Sequence, residues 1–273
     1  YSRLLKLRWL LMAVFVAVIL LSLVADFMLG PSGLSWSELM RTLFSPDQAE
    51  PTTSVIVWDV RLPYAVMAVV VGLGLGLAGA EMQTILANPL ASPFTLGISS
   101  AAAFGASLAL VLDLSLPWLP ADWAVAGNAF VFAILSALLL DVLARWGGMS
   151  GSGMVLVGIA LVFTFNALVS LMQFIASAED LQNLVFWTMG SLSRWPKVGG
   201  MLLAFAVILP LCLKDAWKLT ALRLGEDRAI SFGIDVKRQR LVSLLRISFL
   251  AALAVSMVGT ISFIGLIAPH IAR

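Results

Sequence analysis

The chain has 273 residues, 61% of them hydrophobic and 12% charged, with a mean hydropathy of +1.02, and a soluble domain carries about twice that charged fraction. A soluble globular protein is thereby excluded. The single Cys212 and single His270 exclude a disulfide framework, a thiolate cluster and a multi-histidine metal site, and a net charge of +2 spread along the chain does not point to nucleic acid.

Uncharged stretches of about 16 to 33 residues recur along the chain, and a bilayer core needs about 20 predominantly apolar residues per helix. The expected fold is an all-α polytopic membrane protein forming a single transmembrane domain over residues 1–273. In chain order the hydropathy predicts spans at Trp9 to Leu29, Leu62 to Met82, Phe94 to Leu112, Trp123 to Leu140, Met154 to Ser177, Pro196 to Leu213 and Leu241 to about Thr260. Leu181 to Leu192 is apolar but too short to span, which predicts a half-helix against the fifth span. A further short piece, Leu266 to Ala272, closes the chain. The first span is long and lacks a small-x-small cleavage site after it, so it reads as a retained helix. Both ends, Tyr1 and Arg273, read as trimmed.

Basic residues are retained on the cytoplasmic side of a membrane. With the N-terminus inside, that side receives eleven of them (Arg3, Lys6, Arg8, Arg145, Lys214, Lys218, Arg223, Arg228, Lys237, Arg238 and Arg240) and the other side four (Arg41, Arg61, Arg194 and Lys197). Trp9, Trp58, Trp118, Trp123, Trp146, Trp195 and Trp217 lie near the expected interfaces, as aromatic belts do.

In the second span, Gly74-Leu75-Gly76-Leu77-Ala78-Gly79 satisfies GxGxxG formally. It lacks the strand and the phosphate-facing helix start of a dinucleotide site. These glycines read as packing positions, with Gly72 and Gly76 as a small-xxx-small pair. The connection Ala87 to Gly97 contains Pro89 and Pro93 and reads as a tight turn between spans.

In the fifth span, Asn166, Ser170, Gln173 and Ser177 recur at steps of 4, 3 and 4 residues, which at about 3.6 residues per turn places them on one face. A polar stripe in a membrane helix reads either as the lining of a translocation pathway or as interhelical hydrogen bonding. Asp26, Glu81 and Arg246 lie near span ends, where snorkelling or pairing is expected. The polar segment 214–240 is punctuated by Gly225 and Gly233 and predicts two short helices on the cytoplasmic face. It reads either as a solvated linker or as a platform for a partner.

Several segments resemble the FecCD-type permeases, the membrane subunits of ABC importers for ferric siderophores, haem and cobalamin. They are Arg61-Leu62-Pro63 opening the Gly-rich span, Asn88-Pro89-Leu90-Ala91-x-Pro93 followed by Leu96-Gly97-Ile98-Ser99, and Gly259-Thr260-Ile261-Ser262-Phe263-Ile264-Gly265-Leu266-Ile267-Ala268-Pro269-His270-Ile271-Ala272-Arg273. Leu224-Gly225-Glu226-x-x-Ala229-x-x-Phe232-Gly233 is similar to the family's cytoplasmic coupling region. Tyr64 stands where the family often has a second arginine, and Ala87 where it often has a basic residue.

The resemblance implies a type II ABC importer permease fold with about eight of the ten expected transmembrane helices present, the last two being absent. It further implies a second permease subunit, as homodimer or paralogous heterodimer, two cytoplasmic ATPase subunits and an extracytoplasmic substrate-binding protein. The expected setting is the bacterial cytoplasmic (inner) membrane, multi-pass, with the N-terminus in the cytoplasm, and no cofactor or resident metal is expected. ATPase coupling is expected at Leu224, Gly225, Glu226, Arg228, Ala229 and Gly233, binding-protein docking at Arg61, and the pathway at Asn166, Ser170, Gln173 and Ser177. The expected cargo is a ferric siderophore, with haem or cobalamin as the alternative. No Gly-x-x-x-x-Gly-Lys-Ser/Thr sequence occurs, so ATP hydrolysis is expected on a partner chain. A secondary transporter would show mid-membrane carboxylates and inverted repeats, and a membrane enzyme a clustered nucleophile, base or metal set. Neither pattern stands out.

Overall fold

The structure is a computed structural model that describes residues 2–29, 33–117, 119–120, 123–149, 151–192 and 198–272. The expectations placed on Trp118, Arg194, Trp195, Pro196, Lys197 and Arg273 fall outside these residues. All regular structure among the described residues is helical, and six helices are long and apolar enough to cross a membrane. The chain divides into two compact units, Tyr1–Ala68 and Val69–Arg273.

The first unit begins with α1 (Ser2–Leu29). Its large apolar side chains are exposed from Trp9 and Leu10 to Leu20 and Leu21, and a helix apolar on every face suits a membrane span. A short α2 (Trp36–Phe44) starts at Ser35, whose hydroxyl accepts from the Glu38 backbone N–H while the Glu38 carboxylate accepts from the Ser35 N–H. This reciprocal pairing satisfies two donors that a helix start otherwise leaves free. Helix α3 (Pro51–Val55) passes through a π-helical turn at Ile56–Arg61 into α4 (Leu62–Ile85). The second span is therefore longer than hydropathy predicts, one helical run over Pro51–Ile85. Phe27, Leu34, Leu39, Val57 and Ala65 form the core of this unit, and Trp58 Nε1 donates to the Thr42 carbonyl at 3.1 Å.

In the second unit, α5 (Ile98–Leu112) starts four residues later than predicted and is too short to rank among the six spans. Pro93 and a left-handed Gly97 (φ 83°) consume the start of that apolar run in a turn. Asn88 Oδ1 there accepts from Leu90 N at 2.9 Å, and Ser92 and Thr95 exchange side-chain-to-backbone bonds. The small residues Ser99, Ser100, Ala101, Ala102, Gly105, Ala106, Ser107 and Ala109 of α5 are all buried. They let α6 (Ala124–Trp146) and α7 (Gly151–Ile175) approach closely; a Cβ on Gly105 would lie 2.5 Å from the Asn128 carbonyl oxygen.

The expected half-helix is α8 (Ala178–Met189). It packs on α5, the third predicted span, rather than on α7, the fifth, as expected, and past its end Ser191 N donates to the Val258 carbonyl at 2.7 Å. Helix α9 (Val198–Leu222) runs well past the predicted Leu213. The polar segment holds one short helix, α10 (Glu226–Ser231), not two, because residues 214–222 continue α9 and residues 236–240 already belong to α11 (Val236–Val258). The final short piece is α12 (Ile264–Ile271). It meets α4 at Gly79, where a Cβ would overlap the Gly265 carbonyl, while Gly72 has open space and Gly76 only an ordinary contact with Ala268 at 3.5 Å. The close approach thus lies at Gly79 rather than at the predicted Gly72 and Gly76 pair.

Candidate functional site

Most of the paired charge of the second unit gathers where α4 finishes, α9 finishes and α11 starts. Helix α10 is carried there by two glycines in conformations that L side chains rarely adopt, Gly225 (φ 113°) and Gly233 (φ 79°). Ala229 is fully buried in a small cluster with Leu222 and Val236, and it anchors the helix on α9 and α11. Leu224, Gly225, Glu226, Arg228 and Gly233 lie at the surface. So do Ile230 and Phe232, which sequence reasoning did not single out as site residues. The Phe232 ring lies 5.8 Å from that of Trp217 on α9. Of the six expected coupling residues, five are thus presented outward and one holds the others in place. The knob combines exposed apolar groups with charge, a composition suited to a protein partner.

Beneath it lies a buried ionic network. Arg246 on α11 pairs with Glu81 on α4 and, at 2.6 Å, with Asp215 on α9; its Nη1 also donates to the Leu211 carbonyl at 3.1 Å. Ser243 donates to Glu81 Oε1 at 3.0 Å, Cys212 Sγ donates to Glu81 Oε2 at 3.5 Å, and Lys218 Nζ lies 2.8 Å from Asp215 Oδ1. Glu81, Asp215 and Arg246 are 4%, 8% and 9% exposed, so these charges have left water and rely on each other. Pairing, expected for Glu81 and Arg246, occurs between them; Asp215 is the member that sequence reasoning missed. One level nearer the helix ends, Arg240 donates to the Ile85 carbonyl at 3.1 Å and pairs with Glu226 of α10.

The other predicted residues lie elsewhere. On α7, Asn166 and Ser170 are exposed and Gln173 half-buried, beside the exposed Phe163, Leu171 and Phe174. Ser170 donates to the Asn166 backbone carbonyl at 3.0 Å. Neither the Asn166 nor the Gln173 amide bonds another helix among the described residues. Ser177 lies beyond α7 and caps α8, accepting from Asp180 N at 3.2 Å. In the first unit, Arg61 donates to the Asp26 backbone carbonyl at 2.9 Å and lies 3.8 Å from its carboxylate, with its side chain 13% exposed. Its partner is therefore Asp26, not the nearby Asp59. Among the described residues there is no group of His, Cys, Asp and Glu that could hold a metal ion.

Six membrane-length apolar helices, a half-helix and a charged terminal knob define a multi-pass membrane protein. Residues 14–273 match the model of the FecCD transport family, and the chain belongs to that family. It is 37% identical to the hemin transport system permease protein HmuU of Yersinia pestis, over 80% of this chain and 66% of that protein. It is 32% identical to the iron-uptake system permease protein FeuC of Bacillus subtilis, over 96% of this chain and 79% of that one. It is also 35% identical to the vitamin B12 import system permease protein BtuC of Vibrio cholerae, over 97% of this chain and 76% of that one. The chain thus spans about two thirds to four fifths of the length of these relatives. A solved structure described as an inward-facing conformation of a metal-chelate type ABC transporter superposes with a TM-score of 0.80 at 29% identity, covering 99% of this chain and 80% of that one.

Proposed function

We propose that the chain is the permease part of an ATP-driven ABC importer, carrying a ferric siderophore across the bacterial cytoplasmic membrane with its N-terminus inside. The observation that carries this reading is the superposition of 99% of the chain on a metal-chelate type ABC transporter. Hydrolysis belongs to two cytoplasmic ATPase subunits that seat on the α10 knob, and a second permease subunit completes the pathway. Exposure of Asn166 and Ser170, with no partner helix bonded to the Asn166 or Gln173 amide among the described residues, supports a wet lining along α7, with α8 as part of an external gate. An extracytoplasmic binding protein delivers the cargo, and Arg61 is the charge that an acidic group on it would draw from Asp26.

Haem and cobalamin are the second reading for the cargo, favoured by the relatives named for hemin and vitamin B12. The test is uptake into proteoliposomes holding the full-length permease, its ATPase and its binding protein, with ferrichrome-bound iron, haemin and cyanocobalamin offered separately. ATP-dependent accumulation of the iron chelate alone is expected. Accumulation without the ATPase would sink the importer reading, and accumulation of haemin or cyanocobalamin alone would replace the siderophore.

A further inference from the structure

Glu81, Asp215 and Arg246 sit on three different helices, are each more than nine-tenths buried, and have no part in the roles assigned above. A buried ion pair adds little stability over well-packed apolar residues of similar volume, so fastening three helices does not by itself require charge. What charge adds is direction and a choice of partners.

Both carboxylates have a partner in reserve. Lys218 already holds Asp215 at 2.8 Å, and Ser243 and Cys212 both donate to Glu81. Arg246 can therefore release either carboxylate without leaving it bare, which gives the joint more than one satisfied arrangement.

The network also continues to the surface. Helices α4 and α11 are tied at two levels, Arg246 to Glu81 and Arg240 to the Ile85 carbonyl. Six residues separate the arginines and four the α4 positions, rises of about 9 and 6 Å, so opposed helices can form both ties together. Arg240 also holds Glu226 of α10. Ion pairs and hydrogen bonds thus tie the knob to the end of α4 at Ile85, the backbones of α4 and α11 carry that tie on to Glu81 and Arg246, and Asp215 joins α9 to them.

We propose that the buried Glu81, Arg246 and Asp215 triad is the joint through which a displacement of α10 is passed to α4 and α9. This rests on the importer reading, and the three residues act as positioning residues. The test uses the full-length permease reconstituted with its ATPase and binding protein. Two variants are compared with wild type: Glu81→Gln with Arg246→Gln, which removes opposite charges together and leaves Asp215 to Lys218, and Arg246→Lys, which keeps the charge but loses the fork that reaches two carboxylates.

Hydrolysis within about two-fold of wild type is expected for the double variant, with at least about ten-fold less uptake per ATP, inside the range of about 5- to 150-fold typical of coupling between sites. Arg246→Lys should fall between. Unchanged uptake per ATP in both variants overturns the joint, as does a parallel loss of inserted protein, hydrolysis and uptake, which marks a purely structural staple. A second arm needs no cargo: spin labels at Ser231 and Leu73, in a Cys212→Ser background, should change spacing on ATP binding in wild type and not in the double variant. Equal spacing changes, or none in wild type, overturn the joint. A wild-type spacing change without uptake of iron chelate, haemin or cyanocobalamin fails the importer reading alone.

Discussion

At the scale of single residues, Gly79 shows how little separates packing from exclusion in this molecule. A methyl group there would overlap the Gly265 carbonyl, whereas one at Gly72 meets open space. Gly79→Val should lower stability by about 1–3 kcal/mol, the usual cost of overpacking. Gly72→Ala should stay within about 0.5 kcal/mol of wild type, both read by thermal unfolding in detergent. The two glycines look alike in the sequence because nothing local says which face another backbone will reach. A second residue-scale case is Glu38, whose carboxyl is held below its ordinary value of 4.5, chiefly by the bond from the Ser35 hydroxyl and then by the Ser35 N–H. A depressed carboxyl adds stability that is present above its unfolded pKa and lost as pH falls through its folded one. Amide exchange at Leu39 and Thr42, corrected for its intrinsic pH dependence, should therefore be steady above about pH 5 and lose protection below 4.5. Ser35→Ala should abolish that dependence; an unchanged profile would show that the bond does not hold in solution.

Among elements, α10 is the one whose shape was least readable beforehand. Its length followed from the glycines that bound it, but the expectation of a second short helix failed because residues 214–222 continue α9. Lys214, Asp215 and Lys218 are charged and still helical, for α9 runs on and pairs two of them within itself. Gly225 at φ 113° lies where any side chain is strained. Gly225→Val should therefore tilt the knob and reduce uptake several-fold while membrane insertion persists, and so should reversal of Glu226 and Arg228. Transport untouched by all of these would make the segment only a linker. On α7, single cysteines at Asn166, Ser170 and Gln173 in a Cys212→Ser background should react with water-soluble thiol reagents at rates that depend on nucleotide. Inertness in every state would return the stripe to helix packing.

For the whole molecule, the proposed binding protein would meet the chain at Arg61. Arg61 is mostly covered and bound to the half-exposed Asp26, so an acidic group of the proposed binding protein would compete with an existing contact, and the net gain from exchanging one partner for another at the rim is small. Its effect should therefore appear in rate more than in affinity. Arg61→Glu should slow association of the binding protein at low salt, and the difference should shrink as salt screens it. Identical rates at low ionic strength would leave Arg61 as an anchor for α1 and nothing more.

Hydropathy is a property of consecutive residues, so the sequence alone determined that the chain crosses a membrane repeatedly as helices, roughly where each one runs, and where Pro89, Pro93, Gly225 and Gly233 interrupt it. Its short motifs likewise carried the family. The partner of a buried charge is not a local property. Glu81 lies 134 residues before Asp215 and Asp215 31 before Arg246, and Glu81 and Arg246 taken singly each read as a charge near a span end. Only the tertiary structure, in which the small residues of α5 and α4 let neighbouring backbones close in, decided that these three meet. Tertiary contacts likewise decided that Gly79 rather than Gly72 is the crossing point and, within the first unit, that Arg61 faces Asp26.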